Sequence, residues 1–229
     1  MRGIFVTGTD TEIGKTHASC ALLAALRAQG LRVFPFKPIA AGAHRAGDRW
    51  VNEDTQALLA AAGLDETAAE RVTPVLLREA IAPHIAAARE GVALDLRALH
   101  AGLLRAAAGT DVVLVEGVGG FRVPLDDRHD TVDLARELAL PVVLVVGMRL
   151  GCLNHALLTA SAVRAAGLVL AGWVANELHP AMAALEENVE ALHARLDAPL
   201  IARLPWSPGA SPDQLARHVD HARLLEAMR

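Results

Sequence analysis

Short runs of apolar residues alternate along the chain with longer segments in which apolar positions recur every three or four residues. The short runs predict strands and the longer segments predict helices. The runs at 111–116 and 141–146 are apolar without alternation, which is typical of strands that a parallel sheet buries on both faces. The predicted strands are 4–6, 31–36, 72–77, 111–116, 141–146, 168–175 and 199–204, and the predicted helices are 17–29, 52 or 53 to 62, 83–90, 95–108, 131–138, 151–166, 182–196 and 213–228.

This repeated strand–helix order predicts the fold class. We expect one α/β domain over residues 1–229, with helices on both faces of a mainly parallel central sheet and right-handed crossovers. We find no linker, internal repeat or low-complexity tract that would divide it. Residues 39–50 are predicted to be a loop.

The composition narrows the class of protein. Hydrophobic residues make up 53% of the 229 residues and charged residues 21%, which favours a packed core over disorder. A net charge of −4 argues against a nucleic-acid groove or a basic membrane-binding patch. Cys20 and Cys152 lie far apart without metal-ligand spacing and are expected to be reduced thiols. With no leader-like N-terminus and no long apolar run, we expect a cytoplasmic protein without a membrane partner.

The segment at residues 8–16, GTDTEIGKT, is the strongest functional signal. It lies between the first predicted strand and helix, where backbone N–H groups and the helix dipole bind phosphate. In such a P-loop, Lys15 reaches the terminal phosphates and the Thr16 hydroxyl binds Mg²⁺. Five residues separate Gly8 from Gly14 instead of the usual four, so either Thr9 replaces the first glycine or the loop is one residue longer.

Further polar residues follow the predicted strands, at the edge of the sheet where ligands bind. Glu116 suits a magnesium ligand, or alternatively caps the turn that follows it. Lys37 suits a cation that stabilises a transferring phosphoryl group, or is simply exposed. Asp54 is a second candidate ligand for Mg²⁺, or an ordinary acid in the first turn of a helix. The glycine-rich turn at 117–120 either presents N–H groups to an anionic substrate or only reverses the chain.

Five segments together resemble the dethiobiotin synthetase family of P-loop NTPases. They occur in the family's order and at matching intervals over about residues 4–206, and the longer loop is that family's own form of the P-loop. The segments are FVTGTDTEIGKT at 5–16, KPIA at 37–40, VEGVGG at 115–120, LGCLNHA at 150–156 and LAGWVAN at 170–176.

The resemblance implies a specific reaction in biotin biosynthesis. ATP, CO2 and 7,8-diaminononanoate give the cyclic urea dethiobiotin, with ADP and phosphate released. In this family the substrate's 7-amino group takes up CO2 as a carbamate, whose oxygen attacks the γ-phosphorus. The 8-amino group then closes the ring and expels phosphate, because phosphorylation has created a good leaving group and the second amine is held nearby.

The resemblance also implies the site residues. Lys15 and Lys37 would bind the phosphates and stabilise the transferring group, with Thr11 beside the reacting carbamate. Thr16, Asp54 and Glu116 would hold Mg²⁺. ATP would contact Glu12, Ile13, Gly14, Lys15, Thr16, His17, Asn176, Pro205 and Trp206; the substrate would meet Lys37, Ala41, Gly117, Val118, Gly119 and Gly120 and, across a homodimer interface, Leu150, Gly151 and Asn154.

The chain departs from the family pattern at Ala41, where the family usually has a Ser or Thr hydroxyl. That hydroxyl would bond the carbamate or amine of the substrate. We therefore expect a higher KM for diaminononanoate than a Ser or Thr would give.

Three alternative readings fit less well. A partitioning-type regulatory P-loop ATPase would carry an extra Lys at the front of the loop, where this chain has Thr9, Asp10 and Thr11. An amide ligase of the cobyrinate-amidating kind would need a glutaminase domain, for which 229 residues leave no room. A non-catalytic binding module would not need two lysines, a hydroxyl and two carboxylates together, which this chain has as Lys15, Lys37, Thr16, Asp54 and Glu116.

Overall fold

The computed structural model describes residues 1–229 and is built around a six-stranded sheet with the strand order β10-β9-β8-β1-β7-β2, in which all neighbours are parallel. The strands are β1 (Gly3–Gly8), β2 (Val33–Phe36), β3 (Ile39–Ala41), β4 (His44–Ala46), β5 (Arg49–Val51), β6 (Val75–Leu77), β7 (Val112–Glu116), β8 (Val142–Met148), β9 (Leu170–Glu177) and β10 (Leu200–Leu204). The α-helices are α1 (Lys15–Ala28), α2 (Glu53–Ala62), α3 (Ala69–Val72), α4 (Pro83–Glu90), α5 (Leu96–Ala106), α6 (Thr131–Leu138), α7 (Cys152–Ala165), α8 (Leu185–His193), α9 (Pro212–Leu215) and α10 (His221–Glu226).

The central strands are buried on both faces because successive side chains enter different hydrophobic clusters. Phe5 belongs to the cluster on one side of the sheet, whereas Ile4 and Val6 belong to the cluster on the other side. β7 and β8 are buried along their whole length, as expected from their unbroken apolar sequences. The predicted three-layer α/β fold with a mainly parallel sheet is confirmed.

The carboxyl ends of the parallel strands place the candidate residues at one edge of the sheet. β1 lies between β7 and β8, and its end leads into the loop that precedes α1. β2 ends just before Lys37, β7 ends at Glu116, and Asn176 lies near the end of β9. The topology therefore brings together residues that are far apart in sequence.

The predicted loop at 39–50 is wrong, because this segment contains three short strands. β3 pairs in parallel with β6, and β4 pairs with β5 in an antiparallel hairpin. The hairpin turns at Gly47, whose φ of 63° suits glycine. The guanidinium groups of Arg45 and Arg78 lie over the Trp50 ring, at 5.3 and 5.4 Å from its centroid. The predicted strand 72–77 is shorter than expected, because Val72 ends α3.

The predicted C-terminal helix 213–228 is also wrong, because the chain breaks into α9, a 3-10 turn at Ala216–His218, and α10. Val219 is extended and forms an isolated antiparallel bridge with Ala202 on β10. Asp220 then caps the next helix by accepting a hydrogen bond from the N–H of Arg223. None of the helices is long and apolar enough to cross a membrane.

Candidate active site

The loop between β1 and α1 is held in a fixed shape by its own backbone and by β9. Gly14, the N-cap of α1, has a φ of 77°, and Glu12 has a φ of 58°. The Nδ2 atom of Asn176 donates a hydrogen bond of 2.8 Å to the Ile13 carbonyl oxygen. The loop therefore stands at the N-terminus of α1, where backbone N–H groups bind anions.

Gly14→Ala tests whether this loop shape matters. A Cβ at Gly14 would lie 2.2 Å from Asn176 Nδ2, and the left-handed backbone conformation is itself unfavourable for alanine. We expect ATP affinity, measured by calorimetry, to fall by about tenfold or more, because the loop must both strain and lose its bond to Asn176.

Gly30→Ala is the matched control for this substitution. Gly30 follows the other end of α1 and has a φ of 76°, and a Cβ at this position would have no atom within 4 Å. Gly30→Ala should lose thermal stability through backbone strain alone and bind ATP normally. Equal ATP affinity in Gly14→Ala and Gly30→Ala would contradict a role for the loop shape.

Lys15 lies largely under the loop, with 8% of its surface exposed. Its Nζ donates a hydrogen bond of 3.1 Å to the main-chain oxygen of Asp10. Burial lowers the pKa of Lys15 to about 8, although the nearby carboxylate of Glu116 acts in the opposite direction. A phosphate group at the loop would supply a direct anionic partner for this ammonium group.

Lys37 forms the centre of a charged cluster above the sheet. Its Nζ lies 2.6 Å from Glu116 Oε1 and 2.9 Å from Asp54 Oδ2, and Lys37 and Glu116 are both buried. Burial alone would lower the pKa of Lys37, but the two carboxylates outweigh it and raise that pKa. Lys37 is therefore an ammonium ion, and its charge in turn lowers the pKa of Asp54 against the effect of burial.

Thr16 joins the same cluster from the first turn of α1. Its Oγ1 lies 2.8 Å from Asp54 Oδ1 and 2.9 Å from Glu116 Oε1, and its single proton is donated to one of them at a time. The other carboxylate oxygen of Glu116, Oε2, is buried without a hydrogen-bond partner. The three residues predicted to hold Mg²⁺ are thus adjacent.

The donor set fits Mg²⁺. It consists of one hydroxyl and two carboxylates, which are hard oxygen ligands, and it includes the unpartnered Glu116 Oε2. No group of three or more His, Cys, Asp or Glu side chains is placed to hold a metal alone. A Mg²⁺ ion at this donor set would take its remaining ligands from phosphates and water.

The glycine-rich turn after β7 lies against the P-loop. The N–H of Gly117 donates to the Val6 carbonyl oxygen over 2.9 Å. A Cβ at Gly119, whose φ is 61°, would lie 3.6 Å from Thr11 Oγ1, and one at Gly120 would lie 3.7 Å from the Gly8 oxygen. The turn therefore brings Val118 and its neighbours beside the loop that carries Thr11.

A cleft of about 690 Å³ extends from the loop across the ends of β9 and β10. It is lined by the predicted residues Thr11, Glu12, Gly14, His17, Asn176, Pro205 and Trp206. A larger cavity of about 1050 Å³ lies between α4, α5 and the segment before α6, and none of the predicted site residues lines it.

Several residues that line the cleft were missed in the sequence. They are Asp10, Arg149 and the segments 177–179 and 207–210. The rings of His179 and Trp206 lie 6.2 Å apart at a tilt of 39°. Arg149 directly follows β8. Because ligands bind at the carboxyl ends of parallel strands, this position could have identified Arg149 from the sequence.

Two groups of predicted substrate residues have no hydrogen bond or ion pair to the lysine cluster. Ala41 ends β3, and its carbonyl oxygen lies 3.4 Å from Nδ2 of Asn52, the N-cap of α2. Leu150, Gly151 and Asn154 lie at the start of α7, where the Leu150 side chain is 99% exposed. No hydrogen bond or ion pair joins these three residues to Lys37 within the chain.

Comparisons with known proteins show which family this chain resembles. The family model described as an AAA domain matches residues 2–214. The chain is 55% identical to the ATP-dependent dethiobiotin synthetase BioD of Aromatoleum aromaticum over 215 residues, which cover 94% of this chain and 95% of that protein.

Solved structures with low sequence identity share the fold alone. The cell division ATPase MinD of Pyrococcus furiosus superposes with a TM-score of 0.57 at 18% identity, covering 99% of this chain and 98% of that chain. Chloroplast FtsY of Physcomitrella patens gives a TM-score of 0.53 at 18% identity, and the match covers 99% of this chain but 64% of the FtsY chain. The extent and identity of the match to the dethiobiotin synthetase show the family, and this chain belongs to the ATP-dependent dethiobiotin synthetases.

Proposed function

We propose that the protein uses ATP to close 7,8-diaminononanoate with CO2 to dethiobiotin, releasing ADP and phosphate. The observation that carries this proposal is the buried cluster beside the P-loop. There, an ammonium ion, Lys37, is held by Glu116 and Asp54, within reach of the loop that carries Lys15 and Thr16. Membership of the dethiobiotin synthetase family supplies the substrate.

The cluster supports phosphoryl transfer to a carbamate. Formation of the carbamate on the 7-amino group gives an anionic oxygen, which attacks the γ-phosphorus as the bond to the ADP oxygen breaks. Lys37 is preorganised to stabilise the charge that develops on the transferring group, because Glu116 fixes its position and burial excludes water. The 8-amino group then attacks the phosphorylated carbamate carbon and phosphate leaves.

Lys15 and the loop have a separate task in this proposal. The loop N–H groups and Lys15 bind the triphosphate, while Thr11 and the N–H groups of Gly117 to Gly120 face the reacting carbamate. Asn176, with Pro205 and Trp206, holds the base in the cleft. Residues 1–229 act as one domain.

Mg²⁺ is part of the proposal, with Thr16, Asp54 and Glu116 as its ligands. When bound, the ion neutralises charge on the phosphates. We expect chelation by EDTA to abolish dethiobiotin formation and added Mg²⁺ to restore it. Asp54→Asn should raise the Mg²⁺ concentration needed for half-maximal rate; an unchanged Mg²⁺ requirement would reject Asp54 as a ligand.

The proposed unit is a cytoplasmic homodimer. Leu150, Gly151 and Asn154 are all exposed at the start of α7, which leaves them accessible to a second chain. In this arrangement they meet the carboxylate tail of the substrate bound to the partner. Sedimentation of the full chain tests the dimer, and a monomeric active enzyme would reject it.

Ala41→Ser tests the one departure from the family pattern. A serine hydroxyl at the end of β3 would add one hydrogen bond to the carbamate or amine, so we expect KM for diaminononanoate to fall about threefold to tenfold with kcat little changed. Steady-state kinetics measure it, and Ala46→Ser on the exposed hairpin is the matched control. An unchanged KM would contradict the expectation that the missing hydroxyl weakens substrate binding.

Phosphate release from ATP separates this function from that of a regulatory ATPase. We expect release to require diaminononanoate and bicarbonate together and to stop when either is omitted. Phosphate release at the same rate with and without diaminononanoate, and with no dethiobiotin formed, would favour a partitioning-type ATPase.

A further inference from the structure

Asp10, on the loop between β1 and α1, holds two cations at once. Its main-chain oxygen accepts the bond from Lys15, and its Oδ2 lies 2.6 Å from Nη2 of Arg149. Its other carboxylate oxygen, Oδ1, accepts a hydrogen bond of 2.8 Å from the N–H of Thr11. Asp10 thus gathers positive charge on the loop that is proposed to bind the triphosphate.

Arg149 reaches this loop from a fixed point of the sheet. It directly follows β8, and its main-chain oxygen accepts a hydrogen bond of 3.0 Å from the N–H of Cys152 in the first turn of α7. Its backbone is therefore anchored, while its side chain is long and 43% exposed. Arg149 is also the only lysine or arginine that lines the 690 Å³ cleft.

The charges around the loop leave a role for a further cation. The charge of Lys37 is offset by Asp54 and Glu116, so Lys15 is the one lysine without a carboxylate partner. The loop itself adds two more carboxylates, Asp10 and Glu12, to the cleft wall. Arg149 would add positive charge on the cleft side of the triphosphate, besides that of Lys15, Lys37 and the proposed Mg²⁺.

The contact between Arg149 and Asp10 is of a kind that a phosphate displaces. Both side chains are nearly half exposed, and ion pairs in water of this kind contribute little. A guanidinium group binds phosphate oxygens in a bidentate manner and keeps its charge at every relevant pH. After losing Arg149, Asp10 would keep its bond to the Thr11 N–H.

We propose that Arg149 is a phosphate-binding residue for ATP, which it reaches by exchanging the Asp10 carboxylate for the triphosphate. The inference rests on the proposed function only in requiring that the loop binds ATP. It adds an arginine to the two lysines of the site and makes Asp10 the partner that this arginine leaves when ATP binds.

Calorimetric titration of the full chain with ATP, ADP and adenosine tests this assignment. Arg149→Ala should raise the Kd for ATP about tenfold or more. The Kd for ADP should rise by the same factor or less, and the Kd for adenosine should not change. Arg149→Lys should restore part of the ATP affinity. Asp10→Asn should bind ATP at least as tightly as wild type, because it releases Arg149 yet still accepts the bond from Thr11.

Two results would overturn the inference. One is an unchanged Kd for ATP in Arg149→Ala, and the other is an equal loss for ATP, ADP and adenosine, which indicates a structural role. Arg97→Ala, on an exposed residue of α5, is the matched control and should bind all three normally. If wild type itself binds no ATP, the proposed function fails as well; if wild type binds ATP and makes dethiobiotin, only this inference is at stake.

Discussion

Replacing Lys37 by alanine is expected to lower kcat for dethiobiotin formation by at least about a thousandfold, while ATP still binds. The change removes the ammonium group that lies 2.6 Å from Glu116 and 2.9 Å from Asp54. Without it, the cluster has no side-chain cation to stabilise the transferring phosphoryl group. Single-turnover measurement of dethiobiotin, with ATP binding followed separately by calorimetry, gives the two quantities.

Stability needs its own control in this experiment, because Lys37→Ala leaves the fully buried Glu116 carboxylate without its partner. Lys37→Gln keeps a hydrogen-bond donor but no charge, so it should fold better and remain equally inactive. Arg32→Ala, at an exposed position before β2, should be fully active. Wild-type turnover in a folded Lys37→Gln protein would reject the catalytic role of Lys37.

Lys15→Ala is expected to act first on ATP binding. Lys15 donates to the loop that is proposed to bind the phosphates, so its loss should raise the Kd for ATP roughly tenfold to a hundredfold. Turnover should fall further, because the remaining charge on the triphosphate is not neutralised during transfer. Calorimetry and steady-state kinetics on one preparation measure both effects.

Amine labelling of the wild-type protein gives an independent test of the role of Lys15. Lys15 and Lys37 are the only lysines among the 229 residues, so labelling of side-chain amines reports on the candidate site alone. ATP should protect Lys15 from an amine reagent, as read by mass spectrometry. Arg27→Ala, in the last turn of the same helix, should bind ATP normally. Unchanged ATP affinity in Lys15→Ala would contradict the assigned role of the loop.

The parallel sheet could be predicted because its sequence signal is local. Strands buried on both faces need continuous apolar runs, and 111–116 and 141–146 provide them. The hairpin β4–β5 was missed because its strands are short and mostly exposed, so no apolar pattern marks them. The C-terminal helix was overextended because Val219 is taken out of the helix by a bridge to Ala202, a long-range contact that periodicity does not record.

The candidate site likewise contains a part that could be predicted from the sequence and contacts that could not. The P-loop is a continuous segment, so it could be located from the sequence, whereas the bond from Asn176 to Ile13, 163 positions away, was not predicted. The pairing of Lys37 with Glu116 joins residues 79 positions apart, and only the strand order β1-β7-β2 brings them together. Asp10 and Arg149, 139 positions apart, meet for the same reason, and neither residue type alone indicated that contact.

Coupling of ATP cleavage to the closing of a urea ring from diaminononanoate and CO2 can be followed in a single reaction. Isotopically labelled bicarbonate is supplied, and dethiobiotin, ADP and phosphate are measured together. We expect dethiobiotin labelled at the carbonyl carbon of its urea ring, with one ADP and one phosphate for each molecule formed. Phosphate released in the absence of dethiobiotin, or dethiobiotin formed without the label, would contradict the proposed function.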